Sequence, residues 1–155
     1  MHGSSSATTV TLQHGTQQAA VKELVYTITD WYDGPRKGVA NFEGQPHYYE
    51  CQWYTGLDAG FDVVTRDYLL TPLDAETYQL ALEDWAIWQR WEAAFAAGTT
   101  SQATHPTLPE DQARHAEIER LLLPKLVTNP HFCRRATGEF HYIGVKSFVE
   151  WTTVP

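Results

Sequence analysis

The sequence has few basic residues and no long apolar segment. Lysine and arginine together number 11 against 19 aspartates and glutamates, which gives a formal net charge of −8. A protein that holds nucleic acid through phosphate contacts needs a basic surface, so we expect no nucleic-acid partner. No segment approaches the roughly 20 consecutive apolar residues that span a bilayer, and the first residues lack the features of a signal peptide. We therefore expect no membrane contact.

Cysteine is also scarce, since Cys51 and Cys133 are the only two. Two cysteines without a secretory signal indicate reduced thiols, and hence a cytoplasmic protein. There is no C-x-x-C and no closely spaced cysteine–histidine set, so the sequence predicts no metal site. A phosphate-binding glycine loop, G-x-S-x-G and H-E-x-x-H are also missing. Their absence excludes the enzyme families that use these motifs and leaves any cofactor unidentified.

The apolar content of 43% over 155 residues is enough for the core of one domain. Residues 1–20 are mostly small and polar, and only Val10 and Leu12 offer burial. Such a segment does not offset the entropy lost when it is ordered. We expect a flexible N-terminal tail over residues 1–20 and a single domain over residues 21–155.

Short segments rich in β-branched and aromatic residues follow, separated by turn sequences such as Asp33-Gly34-Pro35. This pattern predicts strands. A last extended stretch, with Gly138 and Gly144 as bends, predicts two more strands or one long bent strand. The predicted strand segments are residues 22–31, 36–43, 47–54, 61–70 and 136–154.

Between the fourth and the last of these segments, the apolar period lengthens to that of a helix, which predicts two helices. Thr71 caps the first, Pro72 lies in its first turn, and Gly98 ends it after residue 97. Thr107 caps the second, which ends at residue 123 before Pro124. The class is therefore α+β, with an antiparallel curved sheet of five to six strands packed against a two-helix hairpin. An open sheet and a partial barrel both satisfy the pattern.

The first predicted helix carries two acids inside an aromatic arc. On a helical projection, Asp84 and Glu92 fall within the apolar arc that includes Trp88 and Trp91. A carboxylate in such an arc must be paired, hydrogen-bonded or protonated. In the functional interpretation, Asp84 is a general acid or base at the floor of a ligand pocket. In the structural interpretation, part of the arc faces water or the acids form salt bridges with arginines elsewhere.

The first predicted turn holds Asp30, Asp33 and Arg36 close together. The two acids would suit a hard cation or acid–base work, and Arg36 would suit a carboxylate or a phosphate. Asp-Gly-Pro is also ordinary turn material, which explains these residues without a function.

Two strand histidines complete the candidates. Strand alternation puts His47 and Glu50 on opposite faces, which excludes an H-x-x-E metal pair. His47 and His141 would bind a metal or move protons together only if their strands adjoin. Without such a neighbour, each is an ordinary half-exposed side chain.

Aromatic residues make up 13% of the chain, with six tryptophans and eight tyrosines, as is typical of interfaces. The sequence thus predicts a small acidic binding or regulatory module with an aromatic-lined pocket or interface for a protein or a small ligand. The net charge favours a basic partner. The ligand-binding candidates are Asp30, Asp33, Arg36, Trp53, Trp88 and Trp91.

One alternative is a small hydrolase, isomerase or lyase that uses acid–base chemistry, with Arg36 holding an anionic group of the substrate. Its catalytic candidates are Asp84, His47 and His141. Another alternative is a carbohydrate-binding surface on which exposed indole rings stack against sugars. Its candidates are Trp31, Trp53 and Trp151.

Overall fold

The computed structural model describes residues 21–52, 67–128 and 131–154, so the predicted tail lies outside the described residues. Six antiparallel strands form a closed barrel in sequence order, and a two-helix hairpin connects the fourth strand to the fifth. This confirms the predicted α+β class, the curved antiparallel sheet and the helical hairpin. The strands are β1 Lys22–Trp31, β2 Pro35–Phe42, β3 Gln45–Cys51, β4 Asp67–Pro72, β5 Arg134–Ile143 and β6 Lys146–Thr153.

Pairing between the first and the last strand closes the barrel. Lys22 and Val25 of β1 lie opposite Glu150 and Ser147 of β6. Each of the six strands in the described part of the chain therefore has a neighbouring strand on both sides, as in a closed barrel. Of the two arrangements that the sequence allowed, the structure has the barrel, and the barrel is complete.

Strand β1 departs from simple alternation. Its register against β2 shifts between Val25 and Thr27 and again between Ile28 and Asp30. Bulges of this kind bend a strand and increase its twist, which a small barrel requires. As a result, Val25 and Ile28 both contact the barrel core, although strict alternation would put them on opposite faces.

Aromatic rings pack together inside the barrel. The fully buried Tyr49 ring lies 5.8 Å from Tyr68, 5.5 Å from Phe140 and 6.2 Å from Trp151, measured between ring centroids. The Tyr49 hydroxyl donates a hydrogen bond of 2.8 Å to the carbonyl oxygen of Thr27, which satisfies a polar group that would otherwise be costly to bury. Burial also raises the pKa of Tyr49 well above its usual value.

The two glycines of the last hairpin have different roles. Gly144 has a φ of 63° and lies in the turn between β5 and β6, as the sequence predicts. Gly138 does not lie in a turn, because it is inside β5, opposite Trp151. A Cβ atom at this position would lie 2.6 Å from Cζ3 of the Trp151 indole. The absent side chain therefore makes room for an aromatic ring.

The first helix, α1 (Ala75–Ala96), begins later than the sequence predicts. Thr71 pairs with Tyr48 inside β4, so its backbone is extended and does not cap a helix. Asp74 is the N-cap, and its side chain accepts a hydrogen bond of 2.7 Å from the backbone nitrogen of Thr77. This bond lowers the pKa of Asp74.

The end of α1 at Gly98, where φ is 74°, agrees with the prediction. The predicted cap at Thr107 is wrong: a 3-10 turn (Pro109–Asp111) comes first, and the second helix, α2 (Gln112–Leu122), follows it. Another 3-10 turn covers Gln102–Thr104. No helix in the described part of the chain is long and apolar enough to cross a bilayer.

The two helices pack through apolar side chains and are joined by charged pairs. Arg90 donates two hydrogen bonds to Asp111, and Arg114 donates two to Glu83, at 2.7–3.0 Å. The arginines lower the pKa of both carboxyl groups. The apolar contact between the helices consists of Leu80, Ile87, Ile118 and Leu122.

The helical hairpin lies against the outer face of the barrel. The ring of Tyr26 on β1 meets the ring of Tyr78 on α1 edge to face, with centroids 5.1 Å apart. After α2, the hydroxyl of Thr128 donates a hydrogen bond to the carboxylate of Glu50 on β3. These contacts hold the hairpin on one side of the barrel.

Candidate functional site

Large apolar side chains are exposed at one end of the barrel, where β1 turns into β2 and β5 turns into β6. The rings of Trp31 and Tyr142 contact each other across these two turns, with centroids 6.0 Å apart. Trp31 is 56% exposed and Tyr142 is 52% exposed, although both are aromatic. We call this patch the rim surface, and its members are Trp31, Tyr32, Tyr142, Ile143 and Val145.

Arg36 holds one side of the rim surface in place. Its Nε donates a hydrogen bond of 2.6 Å to the carbonyl oxygen of Tyr32, and its guanidinium carbon lies 5.7 Å from the centre of the Tyr32 ring. A second nitrogen, Nη1, lies 3.0 Å from the sulfur of Cys51 at the end of β3. The described contacts of Arg36 thus fix the position of Tyr32 relative to the barrel.

The two acids of the predicted turn cluster flank the rim surface. Asp33 is exposed and has a φ of 54°, and it is followed by Gly34 with a φ of 131°, so both residues form the turn itself. Asp30 is exposed near the end of β1 and is the register partner of Lys37. The structure therefore brings Asp30, Asp33 and Arg36 to the same end of the barrel as the exposed rings.

The predicted tryptophans of α1 lie away from this end. Trp91 is buried, donates a hydrogen bond of 2.9 Å from its indole nitrogen to the hydroxyl of Thr104, and stacks on Phe95. Trp88 is half-buried and stacks on Trp85, with centroids 4.7 Å apart. These contacts are those of packed side chains. Trp53 lies outside the described residues.

Asp84 is paired with a residue that the sequence analysis did not connect to it. Its carboxylate lies 2.6 Å from Nδ1 of His115 on α2, and Nε2 of His115 lies 3.7 Å from Glu119. Both members of the Asp84–His115 pair are half-buried between the helices. Glu92 is exposed, which agrees with the structural interpretation in which part of the arc faces water. The buried stripe of α1 is narrower than the arc drawn from the sequence.

The strands of the two candidate histidines do not adjoin, since β4 lies between β3 and β5. Nδ1 of His47 is 2.7 Å from the carbonyl oxygen of Gln45, and its ring packs edge-on against Phe42. His141 lies beside Glu150 on the outside of the last hairpin. None of the described contacts of Asp84 involves either histidine.

Sequence reasoning missed most of the rim surface. Tyr142, Ile143 and Val145 flank a turn glycine, and this unusual apolar content for a turn was the available indication. No pattern in the chain linked Asp84 to His115, because the pairing of two helix faces depends on how the helices dock. A groove of about 680 Å³ at the end of α1 was also not predicted, and its lining, which includes Thr99, Ser101 and Pro109, does not contain Asp84.

Comparison of the chain with protein-family models, with curated proteins and with solved structures finds no match. The functional argument therefore depends on the geometry of this molecule alone.

Replacing Asp84 with asparagine is expected to lower the free energy of unfolding by about 1 kcal/mol, because a half-exposed hydrogen bond between a carboxylate and an imidazole is weakened. Urea unfolding of D84N, H115Q and the double variant measures the coupling, which we expect to be about 1 kcal/mol. The control is E119Q, which removes a mostly exposed carboxylate 3.7 Å from His115 and should change stability by less than about 0.5 kcal/mol. Additive effects of D84N and H115Q would contradict a stabilising pair.

Proposed function

We propose that this protein is a binding module that docks a partner protein on its rim surface. The observation that carries the proposal is the contact between the exposed rings of Trp31 and Tyr142 across two separate turns. Exposed apolar patches of this kind on soluble domains are typical of interaction sites, and tryptophan and tyrosine supply much of the binding energy at such sites.

The packing of the barrel favours a surface over an internal pocket. The described part of the interior is occupied by the rings of Tyr49, Tyr68, Phe140 and Trp151, which contact one another. A small ligand would have to displace these rings, whereas a partner protein needs only the side chains that already face solvent. Trp151 packs in this cluster, which also disfavours it as a stacking surface for sugars.

The charges of the molecule support a basic partner. A net charge of −8 attracts a cationic protein over distances of about a Debye length and so speeds its encounter with this one. Asp30 and Asp33 add two exposed negative groups beside the rings. A cytoplasmic location is part of the same proposal, and it is supported by the reduced thiols that we expect for Cys51 and Cys133.

The enzymatic alternative is supported by one observation, the Asp84–His115 pair, because a carboxylate that orients an imidazole is common in general-base catalysis. The surroundings of the pair favour a structural role. It lies between two helices that are also joined by the Arg90–Asp111 and Arg114–Glu83 salt bridges. We therefore propose binding as the function and the pair as an interhelical contact.

Peptides selected from a random display library on the wild-type protein alone provide the probe for the proposal. We expect such peptides to bind the wild type about 30-fold to 900-fold more tightly than W31A/Y142A in fluorescence anisotropy, because each ring contributes about 1–2 kcal/mol at a hot spot. The rate of association should fall as salt is added if the peptides are basic.

The control for this test is F132A, which removes an aromatic side chain that is 75% exposed outside the rim surface and should leave peptide affinity unchanged. W31A/Y142A should unfold within about 1 kcal/mol of the wild type, because both rings are more than half exposed. Peptides that bind W31A/Y142A as well as the wild type would contradict the proposal. Binding of soluble oligosaccharides that is lost in W31A would favour the carbohydrate-binding alternative instead.

A further inference from the structure

Three side chains with metal-binding atoms lie together on the outer wall of the last hairpin. Glu139 and Glu150 are direct partners across β5 and β6, and His141 follows two residues after Glu139 on the same face. One ligand atom of each residue lies within 4.8 Å of the others, and Nε2 of His141 is 3.6 Å from Oε1 of Glu150.

Two properties of this group are unfavourable without a bound cation. Nε2 of His141 is shielded from solvent and has no hydrogen-bond partner among the described residues. An unsatisfied buried nitrogen costs free energy on folding. Independently, Glu139 and Glu150 place like charges directly opposite each other on neighbouring strands, which destabilises a sheet. A divalent cation between the three residues would satisfy the nitrogen and neutralise both carboxylates.

We propose that Glu139, His141 and Glu150 bind a divalent transition-metal ion, with Zn²⁺ as the ion they suit best. Imidazole and carboxylate groups are common zinc ligands, and a mixed set of nitrogen and oxygen atoms disfavours Mg²⁺ and Ca²⁺. Ligand atoms bonded to tetrahedral zinc at about 2.0–2.1 Å are roughly 3.3–3.4 Å apart. The separation of 3.6 Å between His141 and Glu150 is already close to this value. Rotation of the exposed Glu139 side chain would bring its carboxylate to a similar distance from the other two ligand atoms.

The geometry leaves the fourth position to water or to a group from another molecule, because all three ligands come from one face of a hairpin. No metal site was predicted from the sequence, because it shows no closely spaced cysteine–histidine set. Here Glu150 is brought to Glu139 and His141 by strand pairing. This site is on the outer wall of the barrel and does not depend on the function proposed for the rim surface.

Calorimetric titration of the metal-free full-length protein with ZnCl₂, and in parallel with MgCl₂, tests the proposal. We expect one zinc ion to bind for each chain, at least about 100-fold more tightly than magnesium. H141A and E150Q should each weaken zinc binding by at least about tenfold, because each removes a ligand. The matched control E117Q removes an exposed carboxylate on α2 and should leave zinc affinity unchanged. Zinc binding that is the same in the wild type, H141A and E150Q would overturn the proposal.

A further variant tests the site without removing a ligand. Lys22 on β1 is the register partner of Glu150, so its positive charge lies on the neighbouring strand and opposes the binding of a cation beside Glu150. K22Q is therefore expected to tighten zinc binding by about threefold to tenfold in the same titration. Unchanged or weaker zinc binding in K22Q would count against Glu150 as a ligand, even if H141A and E150Q failed to fold.

Discussion

Replacing Gly38 with alanine is expected to lower the free energy of unfolding by about 4 kcal/mol, a large part of the stability of a domain of this size. Gly38 is buried in β2, and a Cβ atom there would collide with the carbonyl oxygen of Thr27 and with the hydroxyl of Tyr49. It would also lie 2.7 Å from Cζ of the Tyr49 ring. The Thr27 oxygen belongs to the backbone, so a change of side-chain rotamer cannot relieve this collision.

The same methyl group would break the hydrogen bond between Tyr49 and Thr27. Once the two groups are pushed apart, a buried hydroxyl and a buried carbonyl lose their partner, which adds about 1–3 kcal/mol to the cost of overpacking. Guanidinium unfolding of G38A measures the combined cost of overpacking and of the lost hydrogen bond. The control is G144A, where a Cβ atom meets nothing within 4 Å but φ is 63°, so a cost of about 1 kcal/mol is expected. A G38A protein within about 1 kcal/mol of G144A would contradict the close approach of β2 to β1.

Replacing Trp151 with alanine is expected to cost about 3–5 kcal/mol, because a large ring is removed from the packed interior of the barrel. Trp151 contacts Tyr49, Tyr68 and Phe140, with centroid distances of 5.5–6.2 Å. Its indole nitrogen donates a hydrogen bond of 2.8 Å to the carbonyl oxygen of Asn41, so W151A also removes a bond between β6 and β2. Thermal and guanidinium unfolding measure the loss.

The space beside Gly138 gives this prediction a second test. In the wild type, G138A should cost about 1–3 kcal/mol, because its methyl group would lie 2.6 Å from the Trp151 ring. In W151A, that ring is gone and G138A should cost less than about 0.5 kcal/mol, which gives a coupling of about 1–3 kcal/mol between the two changes. If the two substitutions were additive, the ring would not occupy the place that the structure gives it.

The approximate positions of the strands could be predicted from local chemistry, and their number was narrowed to five or six. Turn sequences such as Asp33-Gly34-Pro35 interrupt segments rich in β-branched and aromatic residues, although the last segment allowed either two strands or one long bent strand. Closure of the barrel could not be predicted, because it depends on β1 pairing with the distant β6. The bulges of β1 could not be predicted either. They change which side chains face inward, but no glycine or proline in the strand marks their positions.

For some residues near the candidate site, closeness along the chain was enough to predict that they lie together. Asp30, Asp33 and Arg36 lie in one turn or in the strand ends beside it, so they stay close together in any sheet that contains this hairpin. The partner of Asp84 depends on how α1 docks against α2, which a single helical projection does not contain. The exposure of Glu92 could not be predicted for the same reason, because the neighbouring helix sets the width of the buried stripe on α1.

The pairing of β1 with β6 has a consequence for the nascent chain. At roughly 5–20 residues per second, β1 leaves the ribosome on the order of ten seconds before its partner strand is made. During that interval β1 is an unprotected edge, and it can recruit a strand from another newly made chain. A transcript cut short before Lys146 would make this exposure permanent, and its product is expected to aggregate or to be degraded.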